Sequence, residues 1–109
     1  MARSLELNRG EIRLYTFAAP DKQRPVLVVT RSAALKNLNT VTVAPITTSI
    51  RGVPSEVVLN EDEGMKKLCA VNLHHLVTVS SDKIGKREAA LSTARMDEVC
   101  RALIFSLGC

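Results

Sequence analysis

The segment Thr40–Glu56, TVTVAPITTSIRGVPSE, restricts the possible folds more than any other part of the chain. Its first half alternates apolar and hydroxyl side chains, with Val41 and Val43 set against neighbouring threonines. This period of two, built from β-branched residues, predicts a strand with one buried face. Glycine and proline then mark a turn within residues 51–54, and Glu56–Leu59 resumes the strand pattern. The segment therefore predicts two strands joined by a turn.

Polar side chains cluster where the first of these two strands ends. Thr47, Thr48 and Ser49 place three hydroxyls in a row, and Arg51 follows shortly after them. Hydroxyls donate hydrogen bonds and a guanidinium donates them in pairs, so this group of side chains suits a phosphate. An ordinary hairpin with a polar tip contains the same residues, and both interpretations fit the segment when it is taken alone.

Three further strands follow from the apolar pattern. Ile12–Phe17 alternates in character, and Cys69–Val79 indicates one long strand. Val26–Thr30 is a nearly continuous apolar run, which is typical of a strand buried on both faces. Pro25 precedes it, and proline is tolerated at the first position of a strand.

The last element is predicted to be an amphipathic helix that begins after Ser92 as its N-cap and ends at Gly108. Its apolar residues recur at spacings of three and four: Met96, Val99, Cys100, Leu103, Ile104 and Leu107. We expect this stripe to close one side of the core, and a helix that binds a partner is the alternative. A shorter helical segment is predicted within Arg31–Leu38, with Ser32 as its N-cap.

These elements predict a single domain over residues 1–109 that is mostly β with a C-terminal helix. Five strands joined by turns, without strand–helix–strand spacing, indicate a small antiparallel barrel or a strongly curved sheet. A length of 109 residues with 46% hydrophobic residues suffices for one core without a stapling metal or disulfide.

The composition narrows the classes of function. A net charge of +4 favours a polyanionic partner such as nucleic acid. Aromatic residues make up 3% of the chain and tryptophan is absent, which argues against reading bases mainly by stacking. Cys69, Cys100 and Cys109 lie in no zinc-ligand spacing, and their odd number argues against a disulfide framework. No signal peptide is predicted, and no apolar run approaches the roughly 18–20 residues that span a bilayer.

Short motifs recur in a fixed order along the chain and together resemble one known family. The three longest are RGEI from Arg9, QRPVLV from Gln23 and VAPITTSIRGVPSEV from Val43. Asn72, the Lys83–Gly85 turn and the start of the last helix also match. In order and spacing these motifs resemble the MazF/PemK/Kid family of toxin endoribonucleases over nearly the whole chain from Arg9.

The resemblance implies an SH3-like barrel of twisted antiparallel strands with a C-terminal helix, a fold shared with the gyrase poison CcdB. It implies a homodimer that cuts single-stranded mRNA without a metal or other cofactor. The unpaired cysteines and the lack of a predicted signal peptide or membrane span separately indicate the cytoplasm and no membrane partner. The products would carry a 2′,3′-cyclic phosphate and a 5′-hydroxyl. A cognate antitoxin of the MazE type would block cleavage by laying a flexible acidic segment across the RNA groove.

The resemblance also assigns candidate site residues. Arg24 matches the family's catalytic arginine and would stabilise charge, and Thr47 matches its catalytic hydroxyl. A surface ion pair and a strand threonine packed through its methyl group are the structural alternatives. We expect Arg24 at the mouth of a strand, because a residue before proline avoids the helical region. Candidates for contacts with RNA are Lys22, Gln23, Thr48, Ser49, Arg51, Asn72 and His74, and a solvated surface is the alternative for each.

Two departures from the family pattern bear on the mechanism. The loop before Arg24 is short and lacks a Gly-Ser-Glu-Gln motif, so Asp21 is the only carboxylate near it in sequence and the general base is unassigned. His74 and His75 stand where relatives often carry Asp-Gln, and in a strand only one of them would face the RNA groove.

Two other functions compete with the ribonuclease. One is a CcdB-like poison that binds a topoisomerase, and the absence of tryptophan argues against it because such a contact depends on a C-terminal tryptophan. The other is a nucleic-acid-binding barrel without catalytic activity.

Overall fold

The chain folds into a curled antiparallel sheet that is followed by a long helix. The computed structural model describes residues 6–17 and 22–109, except for the side chain of Lys22. The strands in chain order are β1 (Glu11–Phe17), β2 (Lys22–Val28), β3 (Thr40–Thr47), β4 (Glu56–Leu59), β5 (Cys69–Asn72), β6 (Val77–Ser80) and β7 (Arg87–Ala90). The helices are α1 (Ser32–Leu35) and α2 (Thr93–Leu107), with 3₁₀ turns at Glu61–Glu63 and Ser81–Lys83. The prediction of a mostly β fold with a C-terminal helix is confirmed.

The strand β3 is the centre of the sheet because it pairs with three other strands. Its first half pairs with β6, its middle with β2 and its last two residues with β5, and all three pairings are antiparallel. The sheet runs in the order β4-β5-β3-β2-β1-β7, with β6 attached to β3 off this path. The end of β3 therefore lies where the neighbouring strands β2 and β5 both meet it.

The strand β2 is buried on both faces, as its apolar sequence predicts. Val26 and Val28 pack into one hydrophobic cluster and Leu27 into the other, because consecutive side chains of a strand point to opposite faces. The strand spans Lys22–Val28 rather than the predicted Val26–Thr30. It begins earlier because its pairing with β1 continues past the proline to the first residues after the loop.

The predicted ends of α2 are confirmed. Ser92 Oγ accepts a hydrogen bond from Arg95 N at 3.2 Å, which caps the first turn. Gly108 ends the helix in a left-handed conformation, with a φ of 75°. Among the helices formed by residues 6–17 and 22–109, none has the length and apolar character that a membrane crossing requires.

The apolar stripe of α2 is buried over only part of its predicted length. Val99 is buried and Leu103 packs against the same core cluster. In the last turn the residue that faces the protein is Ser106, whose hydroxyl donates to a backbone carbonyl of the turn after β5 at 3.0 Å. Ile104 and Leu107 are therefore 54% and 63% exposed, and the prediction that they close the core is wrong.

The prediction of one strand over Cys69–Val79 is also wrong, because the chain turns after Asn72. Residues 73–76 form a turn between β5 and β6. Asn72 holds this turn, since its Oδ1 accepts a hydrogen bond from His74 N at 3.2 Å. His74 and His75 are both exposed on the turn with ring centroids 4.8 Å apart, so they do not point to opposite faces of a strand.

Two further corrections concern short elements. The strand β7 pairs with β1 at one edge of the sheet, where the sequence predicts no strand. Together with the divided fifth strand, it makes seven strands among the described residues instead of the predicted five. Ser32 is not the N-cap of α1, because Arg31 holds that position and Ser32 Oγ accepts a hydrogen bond from Arg9 N at 2.8 Å.

A buried network of charges joins β1 to β7. The Glu11 carboxylate lies 3.1 Å from Arg13 Nε and 3.4 Å from Arg87 Nε. It also accepts a hydrogen bond from Asn8 N at 3.1 Å. The side chains of Glu11 and Arg13 are only 11% and 8% exposed. Because water reaches neither charge well, each is stabilised mainly by the opposite charge of the other.

We expect Glu11→Ala to lower the free energy of unfolding by about 3 kcal/mol, because it leaves Arg13 buried without its carboxylate partner. Urea unfolding of the purified protein measures this loss. Glu98→Ala is the matched control, because Glu98 also pairs with an arginine but is 39% exposed, and its loss should stay below about 1 kcal/mol. Equal losses in the two variants would contradict a structural role for the buried network.

Candidate active site

A cavity of about 550 Å³ opens where the ends of β2 and β3 meet the loop before β5. Its lining combines apolar walls with hydroxyls and several charged groups. The lining residues are Leu14, Arg24, Pro25, Ile46, Thr47, Thr48, Ser49, Gly64, Met65, Lys66, Lys67, Cys69 and Glu88. Four of the residues assigned to the site by sequence, one on β2 and three at the end of β3, therefore share this cavity.

The register between β2 and β3 brings Arg24 and Thr47 together. The pairing sets Val26 opposite Pro45, and the next two pairs follow the same antiparallel register. The pairing ends at Val26 and Pro45, and the same register continued by two residues would set Arg24 opposite Thr47. Residues directly opposite one another in adjacent strands point to the same face of the sheet, and both residues line the cavity.

The Thr47 hydroxyl is held in place by the backbone that follows it. Thr47 Oγ1 accepts a hydrogen bond from Ser49 N at 3.0 Å. A hydroxyl oxygen that accepts one bond keeps its own hydrogen as a donor. The turn thus fixes the oxygen of Thr47 while its O–H remains able to donate to an oxygen of a bound phosphate.

The loop that bears Arg51 is closed by a carboxylate. Glu56 Oε1 accepts hydrogen bonds from Arg51 N at 3.0 Å and Gly52 N at 2.9 Å. Gly52 has a φ of 74°, a conformation that favours glycine. Arg51 itself is exposed, and it is not among the residues that line the cavity.

Two lysines that sequence reasoning missed line the cavity beside Arg24. The 3₁₀ turn before them is capped by Asn60, whose Oδ1 accepts a hydrogen bond from Asp62 N at 2.8 Å. Gly64 ends the turn with a φ of 86°, and Lys66 and Lys67 follow at the cavity. The signal in the sequence was the pair of adjacent lysines directly after an acidic loop.

Cys69 closes the apolar side of the cavity as a neutral thiol. Burial raises the pKa of the Cys69 thiol, and the nearby Glu63 carboxylate raises it further. Because a thiolate is the reactive form, this cysteine is not prepared to act as a nucleophile. Within residues 6–17 and 22–109, no three His, Cys, Asp or Glu side chains are grouped closely enough to hold a metal ion.

Asn72 and His74, both assigned to RNA contacts by sequence, belong to a separate polar cluster at the end of β5. Asn72 is only 9% exposed and uses its side chain to hold the turn that follows. His74 Nδ1 lies 2.5 Å from the hydroxyl of Ser55. Neither residue lines the cavity that holds Arg24, so the structure does not bring them together with it.

The remaining assigned residues lie on β2 before Arg24. Gln23 is exposed and pairs with Thr16 of β1. Lys22 pairs with Phe17 through the backbone, and its side chain lies outside the described part of the structure. Asp21, the only carboxylate near Arg24 in sequence, also lies outside the described residues.

Comparison with known proteins identifies relatives over nearly the whole chain. The family model for PemK-like, MazF-like toxins of type II toxin–antitoxin systems matches residues 8–107. A probable endoribonuclease of Mycobacterium tuberculosis, MazF5, is 40% identical over 102 residues, which cover 93% of this chain and 93% of that protein.

Two solved structures share the fold. The Mycobacterium tuberculosis toxin MazF-mt6 superposes with a TM-score of 0.82 at 28% identity, covering 90% of this chain and 96% of the other. A mycobacterial endoribonuclease in complex with its cognate antitoxin superposes with a TM-score of 0.85. It is 22% identical, covers 94% of this chain and 95% of the other, and demonstrates likeness of fold alone. On the family match and the 40% identity, the chain belongs to the PemK-like and MazF-like toxins of type II toxin–antitoxin systems.

Proposed function

We propose that this protein is the toxin of a type II toxin–antitoxin system and that it cleaves single-stranded mRNA. The observation that carries this proposal is the convergence of Arg24 and Thr47 from neighbouring strands on one cavity. The endoribonuclease names of several relatives support the same reaction. Because mRNA is the proposed substrate, we place the activity in the cytoplasm.

The proposed reaction uses the ribose 2′-hydroxyl of the substrate as the nucleophile. The 2′-oxygen forms a bond to the adjacent phosphorus, and the bond from phosphorus to the 5′-oxygen breaks. The products are a 2′,3′-cyclic phosphate and a 5′-hydroxyl, so no water enters the bond-breaking step. The extra negative charge on the phosphate oxygens must be stabilised. The 2′-hydroxyl must also lose a proton and the 5′-oxygen must gain one, and side chains can assist each of these steps.

Arg24 and Thr47 together stabilise the negative charge that develops on the phosphate oxygens. The guanidinium of Arg24 offers paired donors and a positive charge to two phosphate oxygens. The hydroxyl of Thr47, fixed by its bond from Ser49 N, donates to the same phosphate. Preorganised donors of this kind act most strongly where charge develops in the transition state.

Other residues would hold the RNA on either side of the cleaved bond. The lining lysines Lys66 and Lys67, together with Thr48 and Ser49, are placed for contacts with neighbouring phosphates. Gln23, Arg51, Asn72 and His74 lie outside the described cavity lining, and we propose them, together with Lys22, for nucleotides farther from the cleaved bond.

The same positive surface suits the proposed protein partner. Three basic side chains are among the described residues that line the cavity, and an acidic segment of a MazE-type antitoxin would compete with RNA for them. We also propose a homodimer, in which the exposed apolar residues near the end of α2 supply surface for a subunit contact. These residues are Ile104, Phe105 and Leu107, which are 54%, 59% and 63% exposed.

We expect Arg24→Ala to slow cleavage of a long single-stranded RNA by at least about 100-fold, because it removes a charge donor from the transition state. The measurement is the rate of appearance of mapped cut ends in the presence of excess EDTA, since the proposed chemistry relies on side chains alone. Thermal unfolding of the variant should match that of the wild type, because Arg24 is exposed.

Arg31→Ala is the matched control for this experiment. Arg31 is an exposed arginine beside α1 and makes no side-chain cap there, so its loss should leave the cleavage rate within about threefold. Substantial cleavage by a folded Arg24→Ala variant would contradict the assigned role. Failure of the wild-type protein to cut any RNA would favour a binding barrel over a nuclease.

We expect Thr47→Val to lower kcat by about 10-fold to 100-fold, because valine keeps the shape and removes the donor. Thr47→Ser should recover most of the rate, since it restores the hydroxyl. Single-turnover cleavage at saturating protein separates this effect from RNA binding. A valine variant as active as the wild type would contradict a role for the hydroxyl, and a valine variant more active than the serine variant would show that the methyl group matters instead.

A further inference from the structure

The strand β7 contains a bulge at the edge of the cavity. Ile12 of β1 lies opposite Ala89, whereas the next residue, Arg13, lies opposite Arg87. Glu88 is therefore the extra residue, and it has no partner on β1. A bulge bends its strand and re-aims the side chain it carries, and bulges are frequent beside active sites.

Several contacts fix this bulge in place. On one side, Gly85 N donates a hydrogen bond to Leu14 O at 2.8 Å. The carbonyl of the residue directly after Gly85 accepts one from Leu14 N at 2.9 Å. The Glu11 carboxylate joins the two arginines that face each other across the bulge, as described above. On the other side, the loop before β5 closes on β7, where a Cβ built on Gly64 would lie 3.4 Å from that of Ala89.

The bulged residue brings a carboxylate into the cavity. Glu88 lines the cavity with Arg24 and Thr47, and it is the only carboxylate among the described lining residues. Within the described part of the chain it forms no ion pair of 4.0 Å or less. An exposed carboxylate that no cation neutralises at close range keeps its lone pairs for a substrate.

The proposed cleavage needs a proton acceptor, and among the described residues that line the cavity Glu88 is the one with a carboxylate to supply it. The Arg24 guanidinium and the two lysine ammonium groups are donors only. Cys69 is held as a neutral thiol by its raised pKa and faces the apolar wall. The strands β2 and β7 flank β1, about 10 Å apart, so an arginine on one and a glutamate on the other can reach opposite sides of one nucleotide.

We infer that the Glu88 carboxylate is the general base that accepts the proton of the ribose 2′-hydroxyl, an inference that rests on the proposed ribonuclease function. As the 2′-oxygen bonds to phosphorus, its proton moves to a Glu88 oxygen and the bond to the 5′-oxygen breaks. The 5′-oxygen takes a proton from solvent water. Glu88 then returns its proton to water, so the reaction consumes no net proton.

The test replaces Glu88 with its uncharged isostere. Glu88→Gln should lower kcat for RNA cleavage by about 100-fold to 10,000-fold and leave KM unchanged or lower, because it removes a proton acceptor and a negative charge. Glu88→Asp should retain part of the rate. Glu61→Gln is the matched control, because Glu61 is an exposed glutamate outside the cavity lining, and its rate should equal that of the wild type.

The dependence on pH separates a catalytic from a structural role. Without a general base, hydroxide must remove the proton, so the residual rate of Glu88→Gln should rise about tenfold per pH unit between roughly pH 6 and 9. The wild-type rate should be nearly flat over that range. The other charged and titratable groups among the described lining residues are Arg24, Lys66, Lys67 and Cys69, and all four remain in both proteins.

Each outcome decides the inference. A folded Glu88→Gln variant that cleaves within threefold of the wild type would overturn the role of Glu88 and leave the ribonuclease function intact. If that variant does not fold, the Glu88→Asp variant decides, because a rate equal to that of the wild type would overturn the role of Glu88 and a reduced rate with an unchanged KM would support it. A wild-type protein that cuts no RNA would overturn the proposed function, and this inference with it.

Discussion

The pairing of β2 with β3 is the interaction on which the site depends. The two strands share a register that is fixed by buried side chains on both faces of the sheet, and a slip by one residue would exchange those faces. The cost of packing Val26, Leu27 and Val28 into clusters that fit other side chains therefore holds the register. The polar ends of the same strands carry Arg24 and Thr47, so the hydrophobic core determines which polar side chains meet.

The site lies at the ends of strands, beyond the hydrophobic core, where polar side chains can be accommodated. The loop before β5 supplies lysines to it, and the edge strand β7 supplies a carboxylate through a bulge. In the proposed function the positive groups attract the phosphate backbone of RNA, and the buried Glu11 network keeps β7 in register with β1. The proposed binding, charge stabilisation and proton transfer thus involve four separate segments around one cavity, which are β2, β3, the loop before β5 and β7.

The sequence predicted the parts of this protein whose local pattern is strong. The apolar run of β2, the alternation of β3, and the Ser92 and Gly108 ends of α2 all agree with the structure. Arg24 and Thr47 were assigned through the family motifs, and the structure brings them to one cavity, while their roles stay a prediction.

Prediction from the sequence failed where neither an apolar pattern nor turn residues such as glycine and proline mark an element. The turn after Asn72 contains no glycine or proline, and it is held by a side-chain hydrogen bond that a pattern does not reveal. The strand β7 reads REAA, which lacks an apolar alternation because it lies at a sheet edge. Glu88 was missed for the same reason, since only the three-dimensional pairing with β1 exposes its bulge.

The central claim is that Arg24 and Thr47 act together on one phosphodiester, and a double-mutant cycle on RNA cleavage tests it most directly. Single-turnover rates would be measured for Arg24→Ala, Thr47→Val and the protein that carries both changes. If both side chains stabilise the same phosphate, the double variant should be at most about threefold slower than the slower single variant. Losses that simply multiply would contradict this account, because they would mean that the two residues act independently.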